Sequence, residues 1–285
     1  MQSKPLRAEK RALSPSSKPS VGQRSCVLAI GGLDPSGGAG LLADARAIAR
    51  AGAYACAAVS LLTVQSTSGV RAVTPVPKKE LLAECTEIMK VQRVRAIKIG
   101  ALGSKENSRA IGEFLASHRD VPSVVDTVML PTRGHARLLS EKAVDILRES
   151  VLKRATLVTV NAPEAEVLTG KRVTRHDEAE LAAHTILGFG ARAVLLKGGH
   201  LVGDEAIDLL AYHEGNHEWL LSLKAPRLPL GPTHGGGCVL ASLIAGRLAA
   251  TDDDVVKAVK WAKKVHHKAL GRAVDVGGDM RVLLA

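Results

Sequence analysis

Short, uninterrupted apolar runs recur through the chain, each followed by a stretch with helical spacing. CVLAIG (26–31) precedes 40–52, where Leu41, Ala45, Ile48 and Ala49 recur on one face and Gly52 stops the period. The runs at 55–64, 96–100, 123–130 and 157–160 precede helical stretches at 80–91, 104–117, 139–151 and 161–168. A run at 193–199 precedes IDLLAY (207–212). Continuous rather than alternating apolar runs belong to strands buried on both faces. The pattern therefore predicts an α/β fold whose mostly parallel sheet is covered by helices on both sides. Segment 207–230 breaks the alternation and reads as a hairpin or edge strands around Gly215-Asn216; two helices, about 237–249 and 252–270, close the chain. No repeat or linker interrupts 26–285, so 25–285 is expected to be one domain.

Composition narrows the function. Hydrophobic residues make up 46% of the 285 and aromatics 2%, so Ala, Val, Leu and Ile must build the core. Few rings remain for stacking on nucleic-acid bases. No helix-turn-helix, zinc-finger or ribonucleoprotein signature occurs, so no nucleic-acid partner is expected. No apolar run reaches the roughly 18 residues of a membrane span, and no secretory h-region is present. Cys26, Cys56, Cys85 and Cys238 form no CxxC pair, which fits reduced thiols in a cytoplasmic protein. Residues 1–24 hold six Lys/Arg and one Glu, a large share of the net charge of +11, and read as a disordered basic tail. Their composition also resembles a transit peptide but lacks an amphipathic face. A basic body suits anionic substrates, or solubility alone.

In parallel α/β sheets ligands bind beyond the carboxyl ends of strands, so the loops there carry the chemistry. In THGGGCVLAS (233–242) three glycines run into a helix, an arrangement that suits an anion cradle. No Walker A pattern occurs. Cys238, in the first helical turn, is expected to have a lowered thiol pKa, unless it is only a small buried residue. GGLDPSGGAG (31–40) is a second glycine-rich loop between strand and helix. Asp126 ends an apolar run and suits Mg²⁺ held through water. Asn161 and Glu164 share a helix-start face, which also suits a simple N-cap with an acidic first turn. Lys197 ends a strand at the same sheet edge. An anion cradle, a lysine and metal-binding acids together suit phosphoryl transfer. His266 and His267 read as a surface pair, and His234 has no identifiable orienting partner. Cys26, Cys56 and Cys85 read as core.

GGLDPSGGAG, AYACAAVSLLTVQST, KIGALGS, VVDTVML, NAPEAEVL, AVLLKGGH and THGGGCVLAS resemble, in order and spacing, the hydroxymethylpyrimidine/phosphomethylpyrimidine kinases of thiamine biosynthesis, over about 26–270. The resemblance implies a ribokinase-like three-layer α/β/α sandwich. It implies ATP-dependent phosphorylation of 4-amino-5-hydroxymethyl-2-methylpyrimidine, then of its monophosphate. Cys238 takes the place of the catalytic base, and Gly235, Gly236 and Gly237 form the anion hole. Gly32, Asp44, Gln65 and Val128 belong to the pyrimidine site. Asp126 and Glu164, with Asn161, organise Mg²⁺, and Asn161 and Lys197 serve the nucleotide. The chain departs from the family pattern at Leu42 (Gln), Ala101 (Met), Gly236 (Thr), and Thr132-Arg133-Gly134 (Lys-Ser-Gly). A pyridoxal or pyridoxine kinase of the same fold and a non-catalytic pyrimidine-binding regulator are the alternatives. A homodimer is compatible with the resemblance, and the sequence leaves the oligomeric state open.

Overall fold

The computed structural model describes residues 24–130, 133, 138–139 and 141–285. All but the last residue of the basic tail, together with Thr132 and Gly134, lies outside the described residues. In chain order the elements are β1 (Cys26–Leu33), α1 (Gly40–Arg50), β2 (Tyr54–Ser66), β3 (Gly69–Pro75), α2 (Lys78–Val91), β4 (Val94–Ile99) and α3 (Lys105–Ser117). Then follow β5 (Ser123–Asp126), α4 (Glu141–Ile146), β6 (Leu157–Asn161), α5 (Ala162–Thr169), α6 (His176–Leu187), β7 (Ala193–Lys197), β8 (Glu205–Glu214) and β9 (His217–Pro226). β10 (Thr233–His234), α7 (Gly236–Ala250), α8 (Val255–Leu270) and β11 (Arg281–Val282) complete the chain.

Nine strands form one mixed sheet in the order β3-β2-β1-β4-β5-β6-β7-β8-β9. β2, β1, β4, β5, β6 and β7 are parallel, while β3, β8 and β9 add antiparallel edges. The parallel strands are the continuous apolar runs; Val27, Leu28 and Ile30 of β1 are fully buried. Helices α2 to α6 pack on one face, and α1, α7 and α8 on the other. Each completely buried Leu, Ile or Val contributes about 1.5–3 kcal/mol, so an aromatic-poor core suffices. This is the expected three-layer architecture, and the 207–230 segment is the β8–β9 hairpin turning at Gly215-Asn216.

Five parts differ from the sequence reading. β3 and α6 were not foreseen. The run at 123–130 is a strand only to Asp126, where Thr127 N–H turns to Thr159 O. The helix expected at 139–151 is α4 followed by a π turn at Leu147–Val151 and a 3₁₀ turn at Leu152–Arg154. The C-terminal segment returns as β11 and pairs with β10 beside the glycine-rich start of α7.

Candidate active site

β1 lies between β2 and β4, which the chain reaches in opposite directions, so the strand order reverses there. A cleft of about 810 Å³ opens over the carboxyl strand ends at this point. Gly235 caps α7 with φ +78, a left-handed conformation, and offers no side chain to the first amides. The free N–H groups at the start of α7 therefore face the cleft as an anion-binding end. A Cβ on Gly235 would lie 2.0 Å from Gly38 O, so the two glycine loops touch backbone to backbone. His266 Nε2 donates to Gly236 O at 2.9 Å and ties α8 to the cradle. This corrects the surface-pair reading: His266 is half-buried, both His266 and His267 line the cleft, and burial pushes the His266 imidazole down to about 4.

The acidic residues gather beside the cradle. Asp126 Oδ1 accepts from Thr159 Oγ1 at 2.8 Å and from Lys197 Nζ at 2.9 Å. Burial opposes the Asp126 charge, but Lys197 and Lys98 outweigh it and hold the carboxyl below its usual range. A Cβ on Gly237 would lie 3.0 Å from Lys197 Nζ and 3.6 Å from Asp126 Oδ2, so this ion pair borders the anion-binding end. Asn161 and Glu164 form a capping box: Glu164 N–H donates to Asn161 Oδ1 at 2.9 Å and Asn161 N–H to Glu164 Oε2 at 3.0 Å. The N-cap role therefore holds, and Asn161 also lines the cleft. Burial, with Asp126 adding to it against Lys197, pushes Glu164 up to about 7. Among the described residues no group of three His, Cys, Asp or Glu side chains is placed to hold a metal ion by itself. Two carboxylates, both hard oxygen donors, fit a divalent ion that keeps most of its water, and such a charge would return Glu164 to its anionic form.

Beneath the cradle lies a group that the sequence reading missed. Lys98 Nζ donates to both Asp44 oxygens at 2.9 and 2.8 Å, and Ser242 Oγ to Asp44 Oδ1 at 2.8 Å. Burial opposes the Lys98 charge, but Asp44 overcomes it and raises its pKa. Asp44, assigned to the pyrimidine by resemblance, lines the same cleft as Gly32, Gln65 and Val128. Its carboxylate is buried and bound to Lys98 and Ser242, so it supports the floor there. The signal was a lysine inside the apolar run AIKIG, which requires a buried counter-charge. Cys238, on the cleft wall, also differs from expectation. Burial pushes its thiol up to about 12, outweighing the opposing pull of Lys98. The helix-start effect does not compensate for desolvation.

The residues assigned to the pyrimidine line the same cleft. Gly32, Gln65 and Val128 all face the cleft, with Ala101, Val70 and Leu138 forming an apolar wall. Gln65 meets His234, whose Nε2 lies 2.7 Å from Asp34 Oδ2. Asp34 is thus the orienting partner of His234, brought to it across 200 residues of sequence. Burial would raise the Asp34 pKa, but hydrogen bonds from His234 and Ser36 hold it low. Leu42 is exposed and does not line the cleft. Arg133 pairs with Asp279 at 3.4 Å, and Met280 lines the wall, so the C-terminal segment helps enclose the site. Cys26, Cys56 and Cys85 are buried, as expected.

The family model for phosphomethylpyrimidine kinase matches residues 34–283. The chain belongs to the phosphomethylpyrimidine kinase family. It is 35% identical over 257 residues to the hydroxymethylpyrimidine/phosphomethylpyrimidine kinase of Aquifex aeolicus, covering 90% of this chain and 98% of that one. It resembles the crystal structure of phosphomethylpyrimidine kinase from Clostridium difficile at 32% identity and TM-score 0.73, covering 86% and 99% of the two chains. It also resembles pyridoxal kinase from Staphylococcus aureus in complex with AMP-PCP and pyridoxal, at 26% identity and TM-score 0.80, covering 92% and 93%. The fold is thus the ribokinase-like sandwich, and the family is one of phosphotransferases that use ATP. No helix among the described residues is long and apolar enough to cross a membrane.

Proposed function

We propose that this chain transfers the ATP γ-phosphate to the hydroxymethyl oxygen of 4-amino-5-hydroxymethyl-2-methylpyrimidine, then to the resulting monophosphate, in thiamine biosynthesis. The observation that carries the reading is the uncapped glycine start of α7 beside the Asp126–Lys197 pair, in a cleft that Gln65 also lines. The α7 amides would receive the transferred phosphoryl oxygens, and Lys197 and Asn161 the nucleotide phosphates. Asp126 and Glu164 would hold Mg²⁺ through water; when bound it would neutralise phosphate charge. Gly32, Gln65 and Val128 would seat the ring. Residues 25–285 form the kinase domain in this reading, working in the cytoplasm where four free thiols stay reduced.

Ala101 favours a second reading. The small side chain leaves space beside the ring that a pyridoxal-sized substrate would use. Steady-state ADP release separates the two. The pyrimidine alcohol is expected to exceed pyridoxal by at least about tenfold in kcat/KM, as one misplaced group in a pocket allows. Pyridoxal preference would transfer the assignment, and no ADP release with either would leave a binding protein. In the same assay Glu164→Gln is expected to raise the Mg²⁺ concentration for half-maximal rate, and an unchanged requirement would reduce Glu164 to a helix-capping acid.

A further inference from the structure

His234 sits where three parts of the site meet; its Nδ1 is buried without a partner, and both contacts of the ring are made by Nε2. The side chain is buried, with Nε2 2.7 Å from Asp34 Oδ2 and 2.9 Å from Gln65 Nε2. Asp34 is surrounded by donors. Ser36 N–H and Oγ reach Oδ1 at 2.9 and 2.8 Å, and Ala39 N–H reaches Oδ2 at 2.9 Å. A carboxyl so placed is an anion that only accepts. Its contact with His234 therefore requires hydrogen on Nε2. A nitrogen that donates to Asp34 cannot also accept from a Gln65 N–H. The amide must bring Oε1, not its nitrogen, to His234. Nε2–H is then shared between two oxygens, a common three-centre arrangement.

We propose that Asp34 and His234 set the polarity of Gln65, turning its NH₂ group into the cleft as a donor to a ring nitrogen of the bound heteroaromatic substrate. Asp34 fixes the hydrogen of His234, His234 fixes the oxygen of Gln65, and the remaining amide end reads the ring. The pair are positioning residues that act on specificity through Gln65. The inference rests on Gln65 facing the pyrimidine, as in the proposed function. It also gives a purpose to a contact joining the 31–40 loop, β2 and the residue just before Gly235. Packing holds His234 there: a Cβ on Gly38 would lie 2.4 Å from His234 Cδ2.

Two measurements test it. Long-range ¹⁵N–¹H NMR of the histidine rings, on the protein alone, reads whether His234 Nε2 carries hydrogen. Protonated Nε2 is expected. Bare Nε2 would overturn the inference, because Gln65 would then donate to it and show its oxygen to the cleft. The second is calorimetric affinity for the pyrimidine and its two analogues with one ring nitrogen replaced by C–H. One analogue is expected to bind about 10- to 100-fold more weakly, the effect of leaving a buried donor unpaired. That gap should shrink to about threefold or less in His234→Ala, whose Gln65 amide is free to turn. It should return in His234→Gln, whose amide restores an N–H donor. Equal gaps in the wild type and His234→Ala would overturn the inference. If the wild type binds neither pyrimidine nor analogue, the functional reading fails, and the spectroscopic measurement still decides the polarity of Gln65. That measurement needs no variant, so it also stands if His234→Ala does not fold.

Discussion

Lys98 is the side chain whose surroundings matter most to the floor of the site. Its ammonium is 1% exposed and held by both oxygens of Asp44. Removing one partner of a buried pair leaves an uncompensated charge, so Lys98→Met is expected to cost about 3–5 kcal/mol in denaturant unfolding. The double variant Lys98→Met/Asp44→Leu should lose less than the single one, since it strands no charge. A loss below about 1 kcal/mol for Lys98→Met would mean that Asp44 is already neutral. Cys238 raises a kinetic question at the same scale. Burial holds the Cys238 thiol well above its ordinary range, which disfavours the thiolate that a base would need at neutral pH. Phosphoryl transfer depends mainly on positioning and charge neutralisation, which the cradle, Lys197 and Asp126 would supply. Cys238→Ser is therefore expected to lower kcat/KM for the alcohol and for the monophosphate by factors within about threefold of each other. A loss confined to the alcohol step, of about 10² or more, would restore Cys238 as a base.

Among the elements, α8 and the C-terminal strand matter because they hold the loops that hold the site. His266 on α8 binds the Gly236 carbonyl as a neutral ring, with its pKa lowered to about 4 from an ordinary value of 6.5. Between those values the unfolded chain binds the extra proton, so this residue's stabilising effect is complete above about pH 6.5 and is lost as pH falls toward about 4. His266→Gln, which keeps an N–H donor, should abolish that part of the pH dependence. By pH 5 the wild type should have lost up to about 2 kcal/mol relative to the variant, compared with pH 8. Parallel slopes in thermal unfolding from pH 5 to 8 would show that His266 titrates normally. β11 acts through its backbone, pairing with Thr233 and His234 just before the cradle. This segment, VGGDMRVLLA, carries no pattern that would announce a strand, because two bridged residues have no period.

For the whole molecule, the central parallel sheet and both helical layers were legible because buried strands must be continuously apolar and helices must repeat every three to four residues. The cradle was legible from three glycines entering a helix, and Asp126, Glu164 and Lys197 from charges at strand ends. β3 was not, since this short edge strand is buried only at Gly69 and Val70 and mostly exposed beyond them, which resembles a loop. α6 escaped for lack of a recognised start; it begins after Arg175, which is not a usual N-cap residue. The Asp34–His234 and Lys98–Asp44 pairs were hidden for a different reason. Their partners lie 200 and 54 positions apart, and only the folded sheet brings them together. The whole account requires one cleft to perform two successive transfers to one substrate. Time-resolved ³¹P NMR with the pyrimidine alcohol, excess ATP and Mg²⁺ observes this directly. A phosphomonoester signal should rise first and then give way to the paired signals of a diphosphate ester. A monoester that accumulates without conversion, or no pyrimidine phosphate at all, would contradict the account.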